Sequence, residues 1–243
     1  MIEPKVNLIA QTSKVGLAWC YGNALEACPG AVMEGQIDGQ GNLVCDSICE
    51  QSCYAQKGKF GLPRVERANR FRGWRALQPG FILWFVAAFL RMSGWKQYRT
   101  EEAEAGFTHL RQGHTGDFRS IDDITQFGDT VTALRKALAK EGRTLRVWVV
   151  TRCYHLGDTW LGALRDLQAI PGVSVTPSAL SMNTPAPMIK GLAPGLAVYD
   201  KGIEPPSDHT RCAVTYDGVA DCHTCGRTCS SPQRKKATAI QKH

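Results

Sequence analysis

The chain has 243 residues, 43% hydrophobic and 21% charged, with ten cysteines and a formal net charge of +7. That suits a soluble globular protein of one large domain or two small ones. A secreted disulfide protein would be shorter and would begin with a basic region and an apolar run, which Met1 to Asn7 lacks; cysteines that bind metal in a reducing cytoplasm are expected instead.

Val6 to Ala10 suggests a short first strand and Gly16 to Cys20 another extended piece. Gly30, Gly35, Gly39 and Gly41 mark a loop, with a hairpin at Asp38-Gly39. Cys45-Asp-Ser-Ile-Cys49-Glu-Gln-Ser-Cys53 follows, with Cys28 upstream. Helical spacing begins after Pro63, in Val65, Ala68, Phe71 and Arg72, and Pro79-Gly80 breaks it. The apolar run Phe81 to Leu90 is too short for a bilayer, which takes about 20 residues. A buried helix over 81–92 and no membrane partner are expected. Segment 96–105 is polar and acidic.

From Phe107 strands and helices alternate. Phe107 to Leu110 reads as a strand leading to the turn Gly113-His-Thr-Gly-Asp117. Helix 121–140 opens on acidic residues and ends before Gly142, and helix 158–169 stops before Pro171-Gly172. Thr144 to Thr151 is a near-continuous apolar strand, as in a parallel sheet buried on both faces. Val173 to Thr176, Leu196 to Tyr199 and Cys212 to Tyr216 read as further strands. The alternation predicts an α/β fold with a parallel sheet, as a full or partial barrel or an open sheet. Asp117, Thr151, Arg152, Ser178 and Ser181 fall where strands end, the edge at which such sheets bind ligands. The expected divisions are an α/β domain over 1–205, a cysteine-rich segment over 206–232 and a disordered basic tail over 233–243.

Three thiols in C-x3-C-x3-C spacing suit an iron–sulfur cluster with one iron open to an outside ligand. The alternative is a zinc site made from Cys28, Cys45, Cys49 and Cys53. Cys212, Cys222, Cys225 and Cys229 close a second coordination sphere, for structural zinc or an auxiliary iron–sulfur cluster. His223 beside them serves either as a substitute ligand or as a polar loop residue. Cys20 and Cys153 stand alone as packed thiols. His114 and Asp117 offer acid–base groups or ligand contacts, against the plainer reading of a turn that satisfies its backbone. Nucleophile-elbow, P-loop and dinucleotide motifs are absent. Basic residues between Arg64 and Arg75 and at Arg234-Lys235-Lys236 favour phosphate-bearing partners, or else form a solvated face and a frayed tail.

Several of these stretches resemble the phage "gene product 88" family: Cys28-Pro-Gly30, Cys49, Cys53-Tyr-Ala55 with Gly58-Lys-Phe60, Gly113-His-Thr-Gly-Asp-Phe-Arg-Ser120 and Thr151-Arg152. The resemblance covers roughly residues 25–230. That family is similar to radical S-adenosylmethionine (SAM) proteins, which implies a partial (β/α)6 barrel with a cysteine-rich C-terminal metal-binding extension. It also implies a [4Fe–4S] cluster on Cys45, Cys49 and Cys53, with SAM chelating the open iron and cleaved to a 5′-deoxyadenosyl radical. Gly116 and Asp117 would then lie near SAM, with Thr151, Arg152, Ser178 and Ser181 lining the same mouth, and the four late cysteines would hold an auxiliary cluster. The usual spacing in that superfamily is C-x3-C-x2-C with an aromatic before the last cysteine, whereas here Ser52 stands there and Tyr54 follows. The implied activity is an isomerase or transferase acting on a nucleotide or a modified phage DNA base, with a flavodoxin-like reductant, in the host cytoplasm. The rival expectation is a zinc-stabilised nucleic-acid-binding protein of a phage or mobile element, without enzymatic activity.

Overall fold

The computed structural model describes residues 10–11, 19–21, 35–37, 43–45, 62–93, 107–112, 117–217 and 234–241. In chain order the first elements are β1 (Ala10–Gln11), β2 (Trp19–Tyr21), β3 (Gly35–Ile37), β4 (Leu43–Cys45), α1 (Pro63–Ala76) and α2 (Phe81–Ser93). They are followed by β5 (Phe107–Gln112), α3 (Ile121–Ala139), β6 (Thr144–Thr151), α4 (Asp158–Ala169), β7 (Val173–Pro177) and β8 (Leu196–Tyr199). The last are β9 (Thr210–Arg211), α5 (Ala213–Tyr216) and β10 (Thr238–Gln241). β3 and β4 pair antiparallel, as the hairpin expected at Asp38-Gly39 requires.

The main sheet has the order β1–β2–β5–β6–β7, with β1 antiparallel to β2 and every other pair parallel. A second sheet, β8–β10–β9, is parallel throughout and meets the first at a single bridge from Ser178 to Leu196. β5, β6, β7 and β8 therefore succeed one another in chain order without reversal. Right-handed crossovers between such strands put the helices on one face. Accordingly α2, α3 and α4 pack side by side over Leu110, Val147, Val149, Val173 and Val175. The fold is α/β with parallel sheets, and among the described residues the strands do not close into a barrel.

Each helix owes its boundaries and its buried face to identifiable residues. Ser120 caps α3, its hydroxyl accepting from the Asp123 N–H at 3.2 Å, and Asp122 and Asp123 complement the helix dipole. Arg119 pairs with Asp123 at 2.7 Å and donates to the Gly73 carbonyl at 2.8 Å, which ties α1 to the start of α3. Gln126 repeats this tie by donating to the Ala76 carbonyl at 2.9 Å. In α2, Phe81, Phe85, Ala88, Phe89 and Met92 are buried at helical spacing, each large side chain contributing about 1.5–3 kcal/mol. Leu83 is 78% exposed, so the helix expected to be buried is covered on one side only.

β6 corrects its sequence reading in the same way. Leu145, Val147, Val149 and Thr151 are buried, whereas Arg146, Trp148 and Val150 alternate with them and are half-buried. One helix layer covers one face, so the near-continuous apolar run does not mean burial on both.

Cys212–Tyr216, expected as a strand, instead follows the two-residue β9 and forms the turn of α5, with the Cys212 carbonyl accepting from the Tyr216 N–H at 2.9 Å. Thr238–Gln241, placed by sequence in a disordered tail over 233–243, is the central strand of the second sheet, with Thr238 and Ala239 buried. The boundary expected at 205 falls within that sheet, since β8 and β9 both flank β10.

The two sheets join tightly at Gly195. A Cβ there would sit 2.2 Å from the Pro187 carbonyl oxygen and 3.0 Å from that of Pro177, both backbone atoms. Gly195→Ala is expected to destabilise the protein by about 3 kcal/mol, read as a lower urea midpoint. An unchanged midpoint would contradict this close approach.

Candidate functional site at the carboxyl edge of the sheet

Parallel strands align their carboxyl ends along one edge, and ligands of α/β folds collect there. Asp117 follows β5, Thr151 ends β6, Arg152 continues it, and Ser178 follows β7. The structure brings these four together by direct hydrogen bonds. Asp117 Oδ1 accepts from the Phe118 N–H at 2.8 Å and from Thr151 Oγ1 at 2.7 Å. Its Oδ2 accepts from the Arg152 N–H at 2.6 Å. Thr151 Oγ1 in turn accepts from the Cys153 N–H at 3.0 Å, and the Thr151 carbonyl accepts from the Ser178 N–H at 2.8 Å. Tyr154 completes the edge by donating its hydroxyl to the Ser178 carbonyl at 2.9 Å.

This geometry refines the roles expected of these residues. A carboxylate has about four acceptor positions, and three donors within 2.8 Å already occupy Asp117. It is a clamp that ties the chain between β5 and α3 to the end of β6. Thr151 is 1% exposed and its hydroxyl both donates and accepts, so it too is committed to the clamp. Ser181 does not join this network. It lies exposed in a turn where its carbonyl accepts from Thr184 Oγ1 at 2.8 Å.

Among the metal candidates, Cys45 ends β4, its backbone paired with Gly35. Cys212 is half-buried at the carboxyl end of β9, its N–H donating to the Ala239 carbonyl at 2.8 Å. Cys28, Cys49, Cys53, Cys222, Cys225 and Cys229 lie outside the described residues, as do His114 and Gly116. Among the described residues no three His, Cys, Asp or Glu side chains gather in a metal-holding group. Cys153 is a packed thiol as expected, 2% exposed beside the Phe118 carbonyl.

Two features escaped the sequence reading. The first is an Asp–His pair, His209 Nδ1 lying 2.8 Å from Asp208 Oδ1. His209 Nε2 accepts from the Ala186 N–H at 3.0 Å, so Nδ1 carries the proton and donates to Asp208. That hydrogen bond holds the Asp208 carboxyl below its ordinary value. With Nε2 taken by backbone, the pair ties the 186 loop to the second sheet and is closed to proton transfer. Burial beside it raises the Tyr199 phenol above its ordinary value. The second is the sheet face opposite the helices, where Arg111 stacks over Trp148. Only the alternation within β5 to β7 hinted at it, and alternation does not say which face the helices cover.

In α1, Asn69, Gly73 and Ala76 are buried against the rest of the fold. Arg75 lies over the Trp84 ring at 4.4 Å and Arg72 donates to Asn69 at 2.8 Å, while Arg67 and Arg70 are exposed. Among the described residues no helix is long and apolar enough to cross a membrane. Comparison with protein-family models, curated proteins and solved structures finds no match to this chain.

Proposed function

We propose that the chain is an iron–sulfur enzyme of the radical SAM type acting on a nucleotide or a DNA base. The observation that carries this reading is one of topology. The connection from the carboxyl end of β2 to α1 is the one that holds Cys28, Cys45, Cys49 and Cys53. It leaves from the same sheet edge at which Asp117, Thr151, Arg152 and Ser178 are bonded together. The succession of β5, β6, β7 and β8 in chain order supports a partial (β/α)6 barrel.

The donor set fits the cluster: thiolates at short spacing are what iron–sulfur groups take, and three of these four leave one iron open. Bound there, a [4Fe–4S] cluster supplies the single electron that cleaves SAM, with a flavodoxin-like protein as the source. The chain's own share is to bind, orient and exclude water. The Asp117 clamp holds Phe118, Thr151 and Arg152 together at that edge. Cys212, held to Ala239, anchors the second thiol group, which takes an auxiliary cluster or zinc. A net charge of +7 suits a phosphate-bearing substrate.

Protein purified without oxygen should be brown, absorb near about 400 nm, carry several irons per chain, and release 5′-deoxyadenosine from SAM and dithionite. Colourless, air-stable protein with stoichiometric zinc would overturn the reading in favour of a zinc-stabilised nucleic-acid binder.

A further inference from the structure

We infer that an exposed stripe of α1, carrying Arg67 and Trp74, docks a single strand of nucleic acid beside the carboxyl edge of the main sheet. The helix has two distinct sides. Asn69, Gly73 and Ala76 are buried, whereas Pro63, Arg67, Arg70, Trp74 and Leu77 are exposed. The exposed five stand four, three, four and three residues apart, so they line up along the helix. At about 1.5 Å per residue the line is about 21 Å long, room for about six nucleotides stacked at about 3.4 Å each.

The stripe offers what a strand needs. Trp74 is 50% exposed, and the half-buried Phe71 supports its ring at a centroid distance of 5.7 Å. A flat ring backed by a neighbour and still half open to solvent is a platform for a nucleobase, since every base has a π face. Five arginines against one glutamate make α1 strongly cationic. Arg72 and Arg75 are turned to Asn69 and Trp84. Arg67 lies two turns from Trp74 on the same line, where its guanidinium meets the phosphates of a strand whose base stacks on the indole.

The fold puts this stripe next to the candidate site. Arg119 donates to the Gly73 carbonyl at 2.8 Å and Gln126 to the Ala76 carbonyl at 2.9 Å, so α1 is held against the start of α3. Arg119 is the second residue after Asp117, and a strand lying on α1 therefore runs close to the hydrogen-bonded edge. Charge and shape favour nucleic acid over a protein as the occupant. A stable protein partner covers about 800 Å² on each side, whereas this is a single row of side chains, cationic at one end and aromatic toward the other. The inference narrows the reading above to a base carried on a strand, and rests on it for what the strand brings to the edge.

The test is fluorescence anisotropy of a labelled oligothymidylate titrated with the full chain, purified anaerobically. Trp74→Ala should weaken binding at least about fivefold, and Trp74→Phe, which keeps a ring, should recover most of the loss. Arg67→Met should weaken binding and flatten the plot of log affinity against log salt by about 0.7 in slope, the share of one phosphate. Lys136→Met, at an exposed lysine of α3, removes the same charge and should leave binding within about twofold of the parent. A hairpin duplex of equal length, its bases stacked on one another, should bind more weakly than the single strand. Parental affinity in Trp74→Ala overturns the inference, as does equal weakening by Arg67→Met and Lys136→Met. If Trp74→Ala leaves oligothymidylate binding unchanged but slows reduction of the protein by flavodoxin, the stripe docks a protein and the inference fails. Iron content and 5′-deoxyadenosine release on the same samples separate the two proposals. Iron and SAM cleavage without Trp74-dependent binding sink the strand site alone. Trp74-dependent binding in a colourless zinc protein sinks the radical SAM reading alone.

Discussion

On the proposed radical SAM reading, Cys53→Ala is expected to reduce SAM cleavage to background, because the cofactor would carry the difficult step and the protein cannot substitute for it. Cys225→Ala should act differently. Cys53 belongs to the thiol group on the β2–α1 connection, whereas Cys225 belongs to the group that starts at Cys212, beside β10. Its loss should lower the melting temperature and the metal content of the second site while leaving measurable cleavage. Iron per chain, absorbance and 5′-deoxyadenosine on the two variants check this division. Equal loss of cleavage in both would show that the two thiol groups do not have separate roles.

Where local pattern and tertiary structure agreed, the fold was legible. β6 and α4 stand where Thr144 to Thr151 and residues 158–169 predicted them, and so does β8. Long β-rich or amphipathic segments flanked by Gly and Pro carry their own boundaries. β10 was missed for the opposite reason. Thr238 to Gln241 is four residues beside a basic run, and only parallel pairing with Leu196 to Tyr199, far away in sequence, makes it a strand. Cys212 to Tyr216 has strand-like composition, yet it follows a strand that stops at Arg211 and turns into α5.

The site divides along the same line. Asp117, Thr151, Arg152 and Ser178 were found because polar residues at strand ends mark the carboxyl edge of a parallel sheet. Their roles were not legible, because a carboxylate in a turn looks the same whether it meets a ligand or three donors of its own chain. The stacking of Arg111 over Trp148 went unnoticed because it depends on which face of the sheet the helices cover. That is a property of the crossovers and not of any single strand.

Asp117→Ala is expected to cost about 4 kcal/mol, since hydrogen bonds to a charged group contribute about 1.5–3 kcal/mol each and are not additive here. The Phe118 and Arg152 N–H groups and the Thr151 hydroxyl would all lose their acceptor. Water recovers part of the loss because Asp117 is half-buried, whereas Thr151 is 1% exposed and gains little from solvent. Asp117→Asn separates charge from shape. One amide oxygen serves the Phe118 and Thr151 donors, but the NH₂ then faces the Arg152 N–H, whose partner oxygen now lies at 2.6 Å. A donor against a donor should cost about half of the alanine loss, about 2 kcal/mol. Urea unfolding of the three proteins measures both steps. Two variants as stable as the parent would mean that the ends of β5 and β6 are held by the sheet alone and that Asp117 is not the clamp.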